Sequence, residues 1–319
     1  MIFFKTPEFW YKDPGLLRKL CLKPISEIYR AISNYRYHLP CNVSLFGKKV
    51  IAVGGITIGG SGKTVVVSSI CKILKENNKK FAILSRGYGR KSSEALKVDN
   101  NIHSYEDVGD EPLMLSRQFD VFVGKDRAET ADMAENVIDS CEYLILDDGL
   151  TQKYLEPTKK IIVVNNDQLF GNGEMFPLGP NRLDFNEIKS DIDALLVLKR
   201  EGDDNIPSFG DIPVCCGNIK QNFDNISGRL MVFCGLGYPQ KFFQIFSNFE
   251  VAKTIAFPDH YPYKDEEVSG MLEEAFRLRA QLVTTEKDLM RIPKKYWSQI
   301  KTVGVDIIWE SPIDFLFDF

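Results

Sequence analysis

Short apolar runs recur along the chain and set its architecture. Val50–Val53, Phe81–Leu84, Val121–Val123, Tyr143–Leu146, Ile161–Val164 and Ala194–Leu198 lack the polar alternation of a half-exposed strand. Such runs, bounded by polar segments, describe strands buried on both faces. Between them lie helical patterns. Val66, Ile70, Ile73 and Leu74 share one face, and Lys125–Ile138 spreads Ala128, Ala131, Met133 and Ala134 among good helix formers. Strand and helix in alternation predict an α/β fold with a doubly wound, mainly parallel sheet.

The pattern loosens over 206–226, where Pro207, Gly210, Pro213 and Gly217 read as a connection between domains. Alternation then resumes. Leu230–Cys234, Val251–Ala256, Leu282–Thr285 and Val303–Trp309 are strand-like, and Pro239–Phe249 and Lys264–Arg279 are helical. The expected division is an N-terminal segment 1–40, a core 41–205, a linker 206–226 and a second, smaller α/β domain 227–319.

The first forty residues follow a different rule. Phe9-Trp10-Tyr11 is an aromatic cluster, Leu16, Leu17 and Leu20 follow, and Ile25, Ile28, Tyr29, Ile32 and Tyr35 recur at helical intervals. Pro24 is expected to separate two helical pieces and Pro40 to close the second. Residues 1–49 hold nine Lys/Arg against three Asp/Glu, a surplus of six, which leaves the rest of the chain at −10 for a net −4. Apolar stripe, aromatic belt and basic flank fit a helix lying in a membrane interface, and they also fit a helix packed on the body of the protein.

No apolar run approaches the ~20 residues of a membrane span, and Met1-Ile2-Phe3-Phe4-Lys5 is too short for a signal sequence. The seven cysteines show neither C-x-x-C nor metal spacing, as expected of reduced thiols in the cytosol. No nucleic-acid partner is expected.

Candidate chemistry gathers where the strands end, as it does in open α/β sheets. The first strand runs into Gly59-Gly60-Ser61-Gly62-Lys63-Thr64, after which the helical pattern begins. Glycines free the backbone N–H groups to turn inward, the helix N-terminus adds positive dipole, Lys63 reaches the β- and γ-phosphates and the Thr64 hydroxyl can ligate Mg²⁺. The strict P-loop pattern has glycine where this chain has Thr57, so the loop is a variant with clustered glycines.

Further motifs follow. Ser85–Arg90 (SRGYGR) carries Arg86 and Arg90 on either side of two glycines, and Val108–Pro112 (VGDEP) places Asp110 and Glu111 before a helical stretch, where acids also compensate a helix dipole. The fourth strand ends in Asp147-Asp148-Gly149, the form of a Walker B element, in which one carboxylate holds Mg²⁺. A turn-rich stretch with Gly171-Asn172-Gly173 ends in Pro180-Asn181-Arg182, and Arg182 is its candidate anion contact. Phe257–Tyr261 holds His260, and a lone histidine is most often structural. Thr284–Asp288 (TTEKD) reads as a threonine cap with acids in the first helical turn.

In this order the motifs resemble the tetraacyldisaccharide 4'-kinase family of lipid A biosynthesis: GGITIGGSGKT at 54–64, SRGYGR, VGDEP, DDG at 147–149, the 171–182 stretch, FPDHY at 257–261 and TTEKD. The resemblance covers nearly the whole chain and accounts for Thr57, since the family's loop has the clustered form. It implies transfer of the ATP γ-phosphate to the 4'-hydroxyl of a tetraacylated glucosamine disaccharide 1-phosphate, at the cytoplasmic face of a Gram-negative inner membrane. It also implies that Asp110 is the base, supported by His260, with the active site between the two domains.

Phosphoryl transfer needs charge stabilisation and alignment more than covalent chemistry. On that basis Thr57, Gly59, Gly60, Ser61, Gly62, Lys63 and Thr64 are the ATP-binding set. Thr64 with Asp147 or Asp148, and Glu111 in addition, would carry Mg²⁺. Arg86, Arg127 and Arg182 are candidates for acceptor phosphate or transition-state charge. The family usually continues D-D-G with Phe-Gln-His, whereas this chain has Leu150-Thr151-Gln152, so no role passes to Gln152. With a lipid acceptor, interfacial docking through Trp10, Leu16, Leu17, Ile28 and Ile32 becomes the better reading of the N-terminus. Two other functions compete: a membrane-associated P-loop ATPase switch and a kinase of a soluble metabolite. ATPases of the first kind often carry a lysine where this chain has Ile58, and the basic, apolar N-terminus speaks against the second.

Overall fold

The computed structural model describes residues 7–45, 47–203 and 205–317. The Met1–Lys5 start lies outside them. The strands are β1 (Lys49–Gly54), β2 (Phe81–Ser85), β3 (Leu96–Lys97), β4 (Val121–Val123), β5 (Tyr143–Asp147), β6 (Lys159–Asn165), β7 (Ala194–Lys199), β8 (Val214–Asn222), β9 (Arg229–Cys234), β10 (Glu250–Ala256), β11 (Gln281–Thr285) and β12 (Lys301–Trp309). All ten runs expected as strands are strands. They lie in the order β10-β9-β11-β12-β8-β7-β6-β1-β5-β2-β4-β3.

From β7 to β4 neighbouring strands are parallel, as are β10, β9, β11 and β12 among themselves. The two parallel blocks meet through β8, which runs parallel to β7 and antiparallel to β12. The expected linker is therefore corrected: 206–226 contains a nine-residue strand that joins both halves into one sheet. Proline and glycine in its sequence mask a strand of which only Cys215 and Gly217 are buried.

The longer helices are α1 (Leu16–Tyr37) and α2 (Lys63–Glu76), followed by the short α3 (Tyr105–Val108) and α4 (Asp110–Leu115), then α5 (Arg127–Val137), α6 (Phe185–Ile188), α7 (Pro239–Gln244), α8 (Asp265–Arg277) and α9 (Glu286–Leu289). The expected helix over 239–249 stops at Gln244. Alternate residues of one strand feed opposite layers. Ile51 and Val53 pack with Val66, Val67 and Ile70 of α2, while Val50 and Ala52 pack in the layer holding Ala131 and Ala134 of α5. The α2 layer continues into the second half through Met231, Phe233, Val268 and Met271, so the two halves share a core. Trp309 Nε1 on β12 also donates to Ser69 Oγ on α2 at 2.9 Å.

The N-terminal segment brings two corrections. α1 runs unbroken through Pro24, which faces solvent, where water can take the carbonyl that the missing N–H leaves unpaired. Trp10 is buried: its indole N–H donates to Pro177 O at 3.0 Å and its ring meets Phe176 edge-on, so it belongs to the interior. α1 itself packs on the 171–182 stretch. Ser26 Oγ donates to Met175 O at 3.0 Å, and Lys23 pairs with Glu174 at 2.6 Å. Among the described residues no helix is long and apolar enough to cross a membrane.

Candidate active site

β1 delivers the chain into the glycine-rich loop, and the loop closes on α2. Gly62 caps that helix at φ 88°, ψ 15°, a left-handed conformation that glycine adopts without strain. The loop is held from outside: Ile58 N donates to Pro180 O at 2.8 Å, and Thr57 bridges to Asn181. Thr57 is buried, so in this variant loop it ties the 171–182 stretch to the glycine-rich turn. Ser61 Oγ is buried and has no hydrogen-bond partner. An orphaned donor inside a glycine loop at the N-terminus of a long helix fits a triphosphate, which supplies acceptor oxygens.

The carboxylates stand opposite. Thr64 Oγ1, on the first turn of α2, donates to Glu111 Oε2 at 3.0 Å. Asp147, at the end of β5, is buried and accepts from Ser85 Oγ at 3.3 Å. Burial, reinforced by the charges of Glu111 and Asp148, pushes its carboxyl up to about 7. A buried carboxylate crowded by others is what a cation relieves, so Thr64, Asp147 and Glu111 fit Mg²⁺. No three His, Cys, Asp or Glu side chains converge as a metal cage among the described residues.

Asp148 is a different case. Its carboxylate forms a two-pronged ion pair with Arg182, with Nη1 to Oδ2 at 2.8 Å, and Arg182 Nε donates to Gly55 O at 2.9 Å. The two expected roles, metal ligand and free anion contact, are thereby consumed in one contact that braces the loop. Burial alone would raise the Asp148 carboxyl, but the Arg182 hydrogen bond and charge hold it below its usual range.

Arg127 is also corrected. It is 3% exposed, its Nη1 donates to Gly124 O at 2.6 Å, and burial lowers its guanidinium to about 10 against the pull of Asp147. A cation so enclosed acts on Asp147, not on an incoming acceptor. Arg86 is exposed just beyond β2. Gln152 Oε1 accepts from Tyr154 N and Leu155 N, both at 2.9 Å, and its amide donates to Leu155 O, so it clamps its own turn.

Asp110 opens α4 behind Gly109, whose φ of 93° is open only to glycine at low cost. A Cβ there would stand 3.0 Å from Tyr88 O and 3.2 Å from Gly87 C, both backbone atoms that cannot yield. Gly109→Ala is therefore expected to lower unfolding stability by roughly 1–3 kcal/mol in urea titrations.

His260 reaches Asp110 from the other half of the sheet. Its Nδ1 donates to Asp110 Oδ2 at 2.9 Å across 150 residues of sequence. His260 is itself at φ 54°, a left-handed conformation unusual for such a side chain, in a loop fastened by the rings of Phe257, Tyr261 and Tyr263, of which Tyr263 meets the other two edge-on. Burial would raise the Asp110 carboxyl. The His260 hydrogen bond and the charges of Lys287 and Arg291 outweigh it and hold the group at about 2. The aspartate is an anion, so His260 Nδ1 carries the proton.

Lys287 and Arg291 are site residues that the motifs did not single out. Lys287 Nζ lies 2.8 Å from Glu111 Oε1 and 3.5 Å from His260 Nε2. Burial would lower its ammonium, yet Glu111 and Asp110 keep it above its ordinary value. Arg291, 2% exposed, pairs with Asp288 at 2.5 Å and brings Nε to 3.5 Å from Asp110 Oδ2. One signal was present: Lys287 lies inside the TTEKD motif, between Glu286 and Asp288.

Fold and geometry together define a P-loop phosphotransferase. A glycine loop and Mg²⁺-competent groups from one half of the sheet face an aspartate–histidine pair completed by the other. The family model described as Tetraacyldisaccharide-1-P 4'-kinase matches residues 18–318, and the chain belongs to that family. It is 33% identical over 322 residues to the tetraacyldisaccharide 4'-kinase of Rhodospirillum rubrum, covering 98% of this chain and 96% of that one. The enzyme of the same name from Methylobacterium radiotolerans is 30% identical over 314 residues, covering 96% and 95%. The crystal structure of "apo" form LpxK from Aquifex aeolicus in complex with ATP superposes with a TM-score of 0.78 at 28% identity, covering 94% of this chain and 98% of that one.

Proposed function

We infer that the protein is an ATP-dependent kinase that phosphorylates the 4'-hydroxyl of tetraacyldisaccharide 1-phosphate, a lipid A precursor, with Mg²⁺ as cofactor. The observation that carries the reading is the Asp110–His260 contact of 2.9 Å, linked to the phosphate loop through Glu111 and Thr64. Lys63 and the loop N–H groups hold the β- and γ-phosphates, and Thr64, Asp147 and Glu111 are the residues that would hold Mg²⁺. Held there, Mg²⁺ would supply positive charge to the phosphate oxygens. Asp110 accepts the proton of the attacking hydroxyl, and His260 orients the carboxylate. Arg86, exposed beyond β2, is free to meet an acceptor phosphate. Asp148 and Arg182 brace the loop. The test is incubation with γ-labelled ATP and the lipid disaccharide 1-phosphate in mixed micelles. Label in a bis-phosphorylated lipid is expected; ADP release without it overturns the reading.

Docking at the cytoplasmic face of the inner membrane belongs to the same proposal. On α1 the residues packed inward, Ser26 and Tyr37, leave the opposite face to Leu17, Ile25, Ile28, Ile32 and Tyr35, with Leu17 79% and Ile28 63% exposed. An acceptor with four acyl chains does not leave the bilayer readily, at about 0.8 kcal/mol per exposed CH₂, so the enzyme goes to it. Replacing Leu17, Ile28 and Ile32 by Ser is expected to reduce cosedimentation with anionic vesicles by about tenfold or more. Sedimentation equal to wild type would remove this part of the proposal.

A further inference from the structure

One half-buried cation in the site has no task in the mechanism above. Lys287 comes from the C-terminal half, on a helix of four residues, and its side chain is 22% exposed. Its Nζ contacts Glu111 Oε1 at 2.8 Å and approaches His260 Nε2 at 3.5 Å. Glu111 accepts from Thr64 Oγ1 at 3.0 Å, and His260 donates to Asp110 Oδ2 at 2.9 Å. These contacts form one chain from the end of the glycine loop to the aspartate, and Lys287 is its middle member. Along this run of contacts Lys287 stands between the threonine at the end of the glycine loop and the aspartate read as the base.

A lysine that only tied the two halves together would need no more than Glu111. Lys287 is instead shared between the carboxylate at the metal end and the imidazole at the base end. Arg291 already supplies a fixed cation 3.5 Å from Asp110 Oδ2, anchored by Asp288 at 2.5 Å. The lysine is the cation with a flexible stem, able to follow a moving charge.

We propose that Lys287 is a catalytic residue: once ATP is bound, its ammonium turns from Glu111 to the transferring phosphoryl group and stabilises the charge that builds there. The inference rests on the reading of Asp110 and His260 as the base pair. In the step, the acceptor oxygen forms its bond to the γ-phosphorus. The bond from that phosphorus to the β–γ bridging oxygen breaks with its electron pair leaving on ADP, and the hydroxyl proton passes to Asp110. Lys287 supplies hydrogen bonds and charge throughout and loses no proton.

The test compares Lys287→Met, which keeps the length of the side chain, with Lys287→Arg, which keeps its charge. Two affinities are measured by calorimetry: that for a non-hydrolysable ATP analogue with Mg²⁺, and that for ADP with aluminium fluoride, which imitates the transferring phosphoryl group. For Lys287→Met, kcat and affinity for the mimic are expected to fall together by about 100-fold, with analogue binding near wild type. Lys287→Arg should recover part of both losses. A purely structural tie would weaken analogue and mimic alike. That result, or a mimic affinity equal to wild type, overturns the proposal. If circular dichroism shows Lys287→Met unfolded, Lys287→Ala with added ethylammonium decides: return of mimic binding supports the role, and no return overturns it. Asp110→Ala run alongside separates the two levels. Wild-type turnover there removes the underlying reading, whereas an inactive Asp110→Ala beside a fully active Lys287→Met removes the role of Lys287 alone.

Discussion

Asp110→Ala is expected to lower kcat by roughly 10²–10⁴-fold, the range for a lost general base, while affinity for Mg²⁺ and ATP stays close to wild type. The separation follows from position. Asp110 opens α4 and its Oδ2 is taken by His260, whereas Lys63 and Thr64, the groups proposed to hold the phosphates, belong to α2. His260→Ala should lose less than Asp110→Ala, because the imidazole acts through the carboxylate. The double variant should be little worse than Asp110→Ala alone, since residues that act as one unit are not additive. Removing the aspartate also leaves Arg291 and Lys287 with less compensating charge in a buried site, which weakens the fold. Asp110→Asn, of the same shape, controls for that. Single-turnover rates with isothermal titration of ATP check the set, and equal losses in ATP affinity and kcat would remove Asp110 from the role of base.

Much of the fold was legible because parallel strands covered on both faces leave continuous apolar runs. Val50–Val53 and Tyr143–Leu146 cannot be read as anything half-exposed. β8 escaped for the opposite reason: it joins two blocks, buries few side chains and carries lysine, glutamine and asparagine. Pro24 misled because a proline on the solvent side of a helix leaves only a carbonyl that water can serve. The nucleotide end of the site was legible as a local motif, since loop, lysine and threonine are contiguous. The other end was not local at all. Asp110 and His260 are 150 residues apart, and Glu111 and Lys287 are 176 apart. Only the joint order of motifs pointed to the first pair. The TTEKD motif contained Lys287 without announcing its partners, because these are set by the β8–β12 junction. The pairing of Arg182 with Asp148 was invisible for the same reason, each residue having been given a ligand when they hold one another.

Asp147→Asn is expected to make the nucleotide-free protein more stable and the enzyme nearly inactive. The sign comes from the raised carboxyl. Burial first, then Glu111 and Asp148, push Asp147 from an ordinary 3.8 to about 7, against the pull of Lys63 and Arg127. A carboxyl raised on folding contributes stability that is fully present below its unfolded value and is lost as pH climbs through its folded value. Wild type should therefore fall behind Asp147→Asn as pH rises from about 4 to about 7 and stay behind above that. Asparagine carries no charge to desolvate, so the variant lacks this slope. With Mg²⁺ and ATP the order should reverse: the cation that relieves Asp147 stabilises wild type by mass action and finds no anion in the variant. kcat/KM should fall roughly 10²–10³-fold, as a lost metal contact worth several kcal/mol requires. Melting curves at pH 5 and pH 8, each with and without Mg²⁺ and ATP, give four comparisons. If the curves do not cross, or if Asp148→Asn produces the crossing in their place, the carboxylate that meets the metal is not Asp147.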